Sequence, residues 1–343
     1  MNRRSYSAGV GSTLLVLVAL TGFAAAERPG LGLARAIAVQ EAHTDLLLGR
    51  SGVVGTAVGL DANGVPVVKI YTESGKVTGL PHSLDSVATE VEVTGQLVAQ
   101  NWVSNTGVSS GTERLIIYRG SLYCTTGTLG AVVSDGTNAY ALSNAHVYAL
   151  EGSKPSGTVT TGNNGDSALQ PGRVDMTAQA CGSQTEINAA VIGTLWSYVP
   201  ITISRKASNT VDAALAKLTT APTGTAVPAG CGSYVPATTT VTATNEMLVK
   251  KCGRTTGLTT GSVSGVNATV IISYDAGQAR FVNQIVVTGT NRSAFSDGGD
   301  SGSLIVTNDG NNNPVALLFA GSPSTTIGNP IGVVLDAFNV QIQ

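Results

Sequence analysis

The chain has 343 residues, of which only 12% are charged, and its formal net charge is −2. That length can bury two modest hydrophobic cores, and the absence of a basic, aromatic-rich stretch argues against nucleic acid as a partner. Abundant Gly, Thr, Ser and Val, with short apolar runs separated by Asp-Gly and Asn-Gly pairs, predict a mainly β protein with many turns.

The first segment has the pattern of an export signal. Arg3 and Arg4 precede an apolar run at positions 14–20, and a row of small residues ends at Ala26, where we expect cleavage. The run is shorter than the ~20 residues of a membrane-spanning helix, so we favour a signal peptide at residues 1–26 over a membrane anchor. The mature protein is therefore expected outside the cell and away from the membrane.

Four cysteines are available for cross-links. An oxidising compartment permits disulfides, and four cysteines allow three pairings that the sequence leaves open. They are Cys124, Cys181, Cys231 and Cys252. They lack the paired close spacing of a zinc site, and the three histidines are scattered along the chain. We therefore expect no metal and no other cofactor.

Residues 27–100 predict a small α+β unit. Its predicted elements are a weakly amphipathic helix at about 31–48 and strands at 53–60, 65–71 and 87–98. The first two strands flank Asn63-Gly64, a strong hairpin signal. The polar stretch 101–114 is interpreted as a linker to a second domain at 115–343.

The second domain is predicted to consist of strands and turns. Two hairpins stand out, with strands at 127–133 and 140–146, and at 303–306 and 315–321. His146 is expected at the far end of the first hairpin, and Ser301 immediately precedes the second. No repeat of fixed period is found, which disfavours a propeller or a solenoid.

Ser301 is the candidate nucleophile. It lies in Gly298-Gly299-Asp300-Ser301-Gly302, and a serine between glycines suits a strained loop that exposes one hydroxyl beside backbone N–H groups. The alternative is an ordinary turn, since Gly, Asp and Ser cluster in turns.

A serine hydroxyl needs a base, which is usually histidine. His146 is the candidate because it is predicted at a strand end. His43, in the predicted helix, and His82, in a loop, are expected to be surface or partly packed side chains.

An acid must hold that base in the required tautomer. Asp212 begins an apolar stretch, and a carboxylate at the edge of a core needs a partner, so we favour Asp212. Asp166 and Asp175 have turn-like surroundings and are expected to be solvated.

These residues, in this chain order, resemble the chymotrypsin-like (trypsin-fold) serine proteases. The phrases that carry the resemblance are Leu142-Ser143-Asn144-Ala145-His146-Val147, Val211-Asp212-Ala213-Ala214-Leu215 and Gly299-Asp300-Ser301-Gly302-Ser303. Two further phrases resemble a bacterial branch similar to the plant Narrow Leaf 1 protein: Gly127-Thr128-Leu129-Gly130 and Cys252-Gly253-Arg254-Thr255-Thr256-Gly257-Leu258-Thr259. The resemblance covers about residues 115 to 343. It implies a double β-barrel of six strands each, with the active site in the cleft between the barrels.

The resemblance also implies a role for each candidate residue. Ser301 would attack the scissile carbonyl, His146 would act as general base and then acid, and Asp212 would orient the histidine. The backbone N–H groups of Gly299 and Ser301 would stabilise the oxyanion.

Substrate-binding positions follow from the same resemblance. Phe319, Ala320 and Gly321 fall on the strand that pairs with the substrate backbone, which implies a polypeptide substrate. Phe295, six residues before Ser301, occupies a position that often shapes the specificity pocket, where it indicates a weak preference for an apolar or small side chain.

The chain departs from the family pattern at three places. Val147 replaces a cysteine that usually follows the histidine, and Ser303 replaces the second glycine after the nucleophile. In animal enzymes the aspartate at the position of Asp300 pairs with a freshly cleaved N-terminus, but no Ile-Val-Gly-Gly phrase begins the barrel region here. We therefore do not expect activation by that route.

The leading hypothesis is a secreted serine endopeptidase. The alternatives are an inactive protease-like domain that binds peptides in its cleft, and an exported adhesive or structural β protein in which the Ser301 motif is only a turn. Residues 27–100 are interpreted as a removable chaperone or inhibitor segment, or as a permanently attached domain.

Overall fold

The computed structural model describes residues 29–98, 108–118, 121–150, 165–177, 180–220, 231 and 234–343. The predicted signal peptide at 1–26 lies outside the described residues, as does half of the predicted linker, 101–107. The predicted fold class is confirmed: the protein is mainly β, with two large sheets and a small N-terminal unit of one helix and several strands.

The N-terminal unit has the predicted helix and hairpin. Its elements are α1 (Pro29–Leu48), β1 (Val53–Leu60), β2 (Pro66–Thr72), β3 (Ser83–Leu84) and β4 (Val87–Val93). Asp61 organises the hairpin turn, since its Oδ1 accepts the N–H groups of Asn63 at 2.8 Å and Val65 at 2.9 Å. These bonds also lower the pKa of the Asp61 carboxyl. Strand β4 lies parallel to β2.

The middle of the chain supplies the first sheet. The elements of this part of the chain are β5 (Ser109–Thr112), β6 (Ile116–Tyr118), β7 (Ser121–Tyr123), β8 (Gly127–Thr128), β9 (Ala131–Ser134), β10 (Ala139–Ser143), α2 (Ala145–Tyr148), β11 (Ser167–Leu169), α3 (Gln184–Ala190), β12 (Val191–Tyr198) and β13 (Ala214–Leu218). Strand β5 lies inside the stretch predicted as a linker and pairs with β11 and β8. The first sheet therefore begins before residue 115.

The C-terminal part forms the second sheet. Its elements are β14 (Leu248–Gly253), β15 (Gly257–Tyr274), β16 (Gly277–Gly289), β17 (Leu304–Thr307), β18 (Pro314–Gly321), β19 (Thr326–Pro330), α4 (Ile331–Phe338) and β20 (Gln341–Ile342). Strands β17 and β18 form the predicted hairpin. The long β15–β16 hairpin was not predicted from the sequence.

The strand order shows how the parts connect. Six strands, β14-β17-β18-β19-β16-β15, close into a barrel because β14 also pairs with β15. The first sheet has the order β20-β9-β10-β13-β12-β11-β5-β8, so the last strand of the chain returns to it. Strand β1 pairs antiparallel with β15, so the N-terminal unit extends the barrel sheet instead of standing apart.

One apolar cluster joins the first sheet to the barrel. Leu142 and Leu215 of the sheet pack with Leu304 and Leu317 of the barrel and with Val334 of α4, and all five are buried. Burial of side chains of this size is worth about 1.5–3 kcal/mol each. The cluster therefore fixes the relative position of the loops that leave β10 and precede β17.

Two disulfides cross-link the described chain: Cys124–Cys181 and Cys231–Cys252. None of the described helices is both long and apolar enough to span a bilayer.

Candidate active site

His146 lies on a single helical turn that directly follows a strand. Strand β10 ends at Ser143, and His146 belongs to α2, so the prediction that the strand continues to this histidine was wrong. The extended backbone of Asn144 ends the strand and begins the helical turn. The turn places His146 in the interior, where it is 5% exposed.

His146 and Asp212 form a buried pair. The Nδ1 atom of His146 lies 2.6 Å from Oδ2 of Asp212, and the backbone N–H of His146 donates to Oδ1 at 3.2 Å. Asp212 is fully buried and lies just before β13, which pairs with β10. A buried carboxylate requires such partners, and two bonds to one residue hold the imidazole in one orientation. The structure thus brings His146 and Asp212 into contact, and the role of Asp212 as the acid stays a prediction.

Tyr274 is a further partner of the carboxylate that sequence analysis missed. Its hydroxyl donates to Oδ2 of Asp212 at 2.9 Å, and its ring stands edge-on to the His146 ring with a centroid distance of 6.1 Å. Tyr274 is buried at the end of β15. The position of this tyrosine at the end of a β-branched run could have indicated that its hydroxyl has a partner, because a buried tyrosine hydroxyl usually needs a hydrogen bond.

The backbone of Asp212 is also held by buried side chains. Its N–H donates to Oδ1 of Asn329 at 3.0 Å, and its carbonyl accepts the Nδ2 amide of Asn144 at 2.7 Å. Asn329 in turn donates to Oε1 of Gln284 at 2.6 Å. Since Asn329 and Gln284 belong to the barrel and Asn144 to the first half of the protein, this network connects both sides of the site.

The loop that carries Ser301 meets the histidine side of the site at Gly127. A Cβ at Gly127 would lie 2.5 Å from a methyl group of Val147 and 2.7 Å from the Ser301 carbonyl, so only glycine permits this approach. The N–H of Thr128 donates to that same carbonyl at 2.7 Å. Val147, which follows the histidine, and Ser301, which precedes a barrel strand, therefore both pack against Gly127.

Nε2 of His146 is the ring nitrogen left for chemistry. It is buried and has no hydrogen-bond partner in the part of the chain that the structure describes. The other ring nitrogen, Nδ1, is hydrogen-bonded to Asp212.

In the serine loop, Gly299 adopts a φ of 94°, a conformation that residues with a side chain rarely adopt. Its N–H and that of Ser301 remain the predicted oxyanion donors.

Asp300, next to the candidate nucleophile, is paired within the chain. Nζ of Lys251 lies 3.3 Å from its Oδ2, and both side chains are fully buried. The carboxylate also accepts the N–H groups of Thr255 at 2.8 Å, Thr256 at 3.1 Å and Asp297 at 3.0 Å. A lysine on β14 is thus the cation that pairs with Asp300, and these bonds anchor the serine loop.

Burial lowers the pKa of the Lys251 ammonium, and the Asp300 carboxylate offsets part of this lowering. The ammonium also donates to the carbonyl of Gly257 at 3.0 Å. These contacts supply the partners that a buried cation requires.

The expectation that Asp166 and Asp175 are solvated was wrong. Both oxygens of Asp175 accept from the Arg254 guanidinium, with distances of 2.6 Å to Nε and to Nη2, and both side chains are buried. Asp166 is likewise paired with Arg114, at 2.7 Å to Nη2. Neither carboxylate contacts His146, because each is held by an arginine far away in the sequence.

The predicted substrate-binding residues have separate environments. The Phe295 ring is buried in the barrel core beside Val263 and Ile305, so the structure gives it a core role and its part in specificity stays a prediction. Phe319 is also buried and packs on another phenylalanine ring. Gly321 lies at the end of β18.

Comparisons with known proteins agree with the resemblance seen in the sequence. The family described as the Nal1 C-terminal domain matches residues 230–328. No curated protein matches the chain. The Nal1 match covers the barrel strands and the Ser301 loop but ends before α4.

Solved structures similar to the chain are chymotrypsin-like serine proteases. A glutamic acid specific serine protease is 21% identical with a TM-score of 0.41, covering 68% of this chain and 99% of that one. Thermobifida fusca protease A is 20% identical with a TM-score of 0.42 (68% and 97% covered). The chymotrypsin of Cellulomonas bogoriensis is 17% identical with a TM-score of 0.37 (68% and 97% covered). The predicted resemblance is confirmed.

The buried Lys251–Asp300 pair predicts a large loss of stability when it is broken. Lys251→Met leaves the Asp300 carboxylate buried without its cation, and we expect a loss of roughly 3–5 kcal/mol in the free energy of unfolding. Urea denaturation followed by fluorescence measures this loss. Lys250→Met is the matched control, because its ammonium lies 4.5 Å above the Tyr234 ring at a partly exposed site and should matter by less than about 1 kcal/mol. Equal losses in the two variants would contradict the role of the pair.

Proposed function

We propose that this protein is a secreted serine endopeptidase. The observation that carries the proposal is the buried His146–Asp212 pair, whose Nε2 atom has no hydrogen-bond partner among the described residues. At Gly127 the Ser301 loop also comes close to Val147, the residue that follows His146. A histidine held by a buried carboxylate through Nδ1 is arranged to accept a proton at Nε2. A serine in a glycine-flanked loop is a nucleophile that suits this base.

In the proposed reaction, Oγ of Ser301 attacks the carbonyl carbon of a peptide bond and Nε2 of His146 takes its proton. The same proton then passes to the leaving amine, and an acyl-enzyme remains on Ser301. Water, deprotonated by His146, releases the acid. Asp212 holds the imidazole tautomer throughout, and Tyr274 holds Asp212.

Two backbone N–H groups are proposed to stabilise the oxyanion. They belong to Gly299 and Ser301, and each such donor is worth about 3 kcal/mol in comparable sites. The Asp300–Lys251 pair supports this role because it fixes the residue between the two donors. A donor that is already oriented costs no reorganisation when the charge develops.

The proposed substrate is a polypeptide in extended conformation. Residues 319–321 end the barrel strand β18, and the edge of a strand binds an extended peptide by main-chain hydrogen bonds. Export agrees with the two disulfides, which persist in oxidising compartments. A peptide-binding protein without activity is the second candidate, since a strand edge alone can bind a peptide.

Labelling with a fluorophosphonate separates the two candidates. We expect one label per chain on Ser301 in the wild-type protein, and a loss of roughly a thousandfold or more in labelling rate for His146→Ala. Intact-mass and peptide mass spectrometry measure both. His43→Ala is the matched control, because His43 also pairs with an aspartate, Asp85 at 2.9 Å, but at an exposed site. A protein that folds and takes no label would contradict the proposed enzyme.

Tyr274→Phe tests the support of the carboxylate. Loss of a hydrogen bond to a charged group costs about 1.5–3 kcal/mol, so we expect kcat for an ester or peptide substrate to fall roughly tenfold or more, with KM little changed. Tyr148→Phe is the control, since its buried hydroxyl bonds Ser110 at 2.7 Å and does not contact Asp212. The hypothesis fails if the two variants lose kcat equally.

A further inference from the structure

The N-terminal unit covers one edge of the barrel sheet. Strand β14 pairs with this edge of β15 only as far as Ser262, and β1 pairs with it from Val266 to Val270. The approach is close, since a Cβ at Gly55 of β1 would lie 2.9 Å from a methyl group of Val270 and 3.0 Å from the Thr269 carbonyl. Without β1, this part of β15 would be an open sheet edge with unpaired main-chain groups.

The unit and the barrel also share one apolar core. Ala57 and Tyr71 of the N-terminal hairpin are buried in the same cluster as Ile272 and Phe281 of the barrel hairpin. A Cβ at Gly265 of β15 would lie 2.9 Å from the Tyr71 hydroxyl, so the glycine makes room for this tyrosine. Loss of the unit would expose apolar surface of the barrel to water, which is unfavourable.

Helix α1 makes polar contacts with the same barrel hairpin. Nη2 of Arg280 lies 2.8 Å from Oδ1 of Asp45, and Nδ2 of Asn267 donates to Oε1 of Gln40 at 3.1 Å. Contacts with the barrel hairpin thus come from α1 as well as from β1.

The residues that follow β4 reach the strand that carries Tyr274. The N–H of Ser273 donates to the Leu97 carbonyl at 3.0 Å, and the Gln96 amide donates to Oγ of Ser273 at 2.7 Å. Leu97 is fully buried in the cluster that includes Tyr274. Because Tyr274 directly follows Ser273 and donates to Asp212, residues 96–97 help to place the hydroxyl that holds the carboxylate.

The next residue is bonded to β18. The N–H of Val98 donates to the Gly321 carbonyl at 3.0 Å, and the N–H of Gly321 donates to the Val98 carbonyl at 3.0 Å, which makes an antiparallel pair. Residues 97–98 therefore bridge the strand that carries Tyr274 and the strand proposed to bind the substrate.

We propose that the N-terminal unit is a permanent part of the enzyme and that Leu97 is a positioning residue, acting on Asp212 through Tyr274. The inference rests on the proposed serine protease function. Loss of residues 29–98 would open the edge of β15, expose the shared core and release the end of the strand that carries Tyr274. In the active enzyme Val98 holds both main-chain groups of Gly321, so the substrate is left with the residues of β18 that precede Gly321.

The composition of the labelled protein tests whether the unit is retained. We expect the species that a fluorophosphonate labels on Ser301, isolated by size-exclusion chromatography in native buffer, to contain residues 29–98. Peptide mass spectrometry of that species measures this. Protein that lacks residues 29–98 and is labelled as fast as the species that contains them would overturn the inference.

A double-mutant cycle tests the role of Leu97. If Leu97 acts through Tyr274, Leu97→Ala should slow the labelling of Ser301 roughly tenfold when Tyr274 is present, but less than about twofold in a Tyr274→Phe background. Leu97→Val replaces Leu97→Ala if the alanine variant does not fold. Equal slowing in the two backgrounds, or no slowing in either, would overturn the positioning role.

Leu47→Ala is the matched control for this cycle. Leu47 is another buried leucine of the N-terminal unit, but it belongs to the cluster between α1 and the hairpin β1–β2, which does not include Tyr274. It should lower the thermal unfolding midpoint as a cavity in any core does, and leave the labelling rate of the folded protein unchanged in both backgrounds. If Leu47→Ala slows labelling as much as Leu97→Ala, the effect is general destabilisation and the positioning role is overturned.

The labelling results also separate this inference from the proposed function. A folded wild-type protein that takes no label would contradict the protease function itself. A label on Ser301 in protein that has lost residues 29–98 would leave the protease function standing and overturn only the permanence of the unit.

Discussion

The carboxylate of Asp212 has no exposed surface, and an ionised group in that position is tolerated only when hydrogen bonds replace the lost water. Its partners come from different parts of the chain: His146 from the helical turn after β10, Tyr274 from the long barrel hairpin, and Asn329 from β19, which holds the backbone. Satisfying one buried charge thus requires the first sheet and the barrel to assemble in a single arrangement. The orientation of the imidazole follows from that requirement.

Two more buried ion pairs anchor the loops around the site. Lys251 neutralises Asp300 beside the candidate nucleophile, and Arg254, three residues later, binds Asp175 of the first half of the protein. Such pairs contribute little net stability compared with apolar packing, but removal of one partner is costly, so they specify a geometry. The Arg254 backbone also donates to Thr128, which places the strand that contacts the Ser301 carbonyl. The loop geometry at the site is therefore fixed by charges that take no part in the proposed proton transfer.

Patterns in the sequence predicted those structural features that depend on neighbouring residues alone. The turn signal of the N-terminal hairpin and the apolar run after Asp212 both appear in the structure as expected, because turn chemistry and strand burial act over a few residues. The partners of Tyr274, Lys251 and Asp175 could not be predicted, since each lies far away in the sequence and meets its partner only after two sheets have packed. The helical turn at His146 was missed for a related reason: four residues are too few for a periodic pattern.

In the proposed mechanism, Asp212 holds His146 with its proton on Nδ1 and leaves Nε2 as a proton acceptor. Nitrogen-15 NMR measures this tautomer directly, and the spectrum is simple because the chain has three histidines, one of which disappears in His146→Ala. In the neutral ring of His146 we predict a protonated Nδ1 with a strongly deshielded, hydrogen-bonded proton, and an unprotonated Nε2. Both signatures should be lost in Asp212→Asn. A neutral His146 ring that carries its proton on Nε2 in the folded wild-type protein would contradict the account.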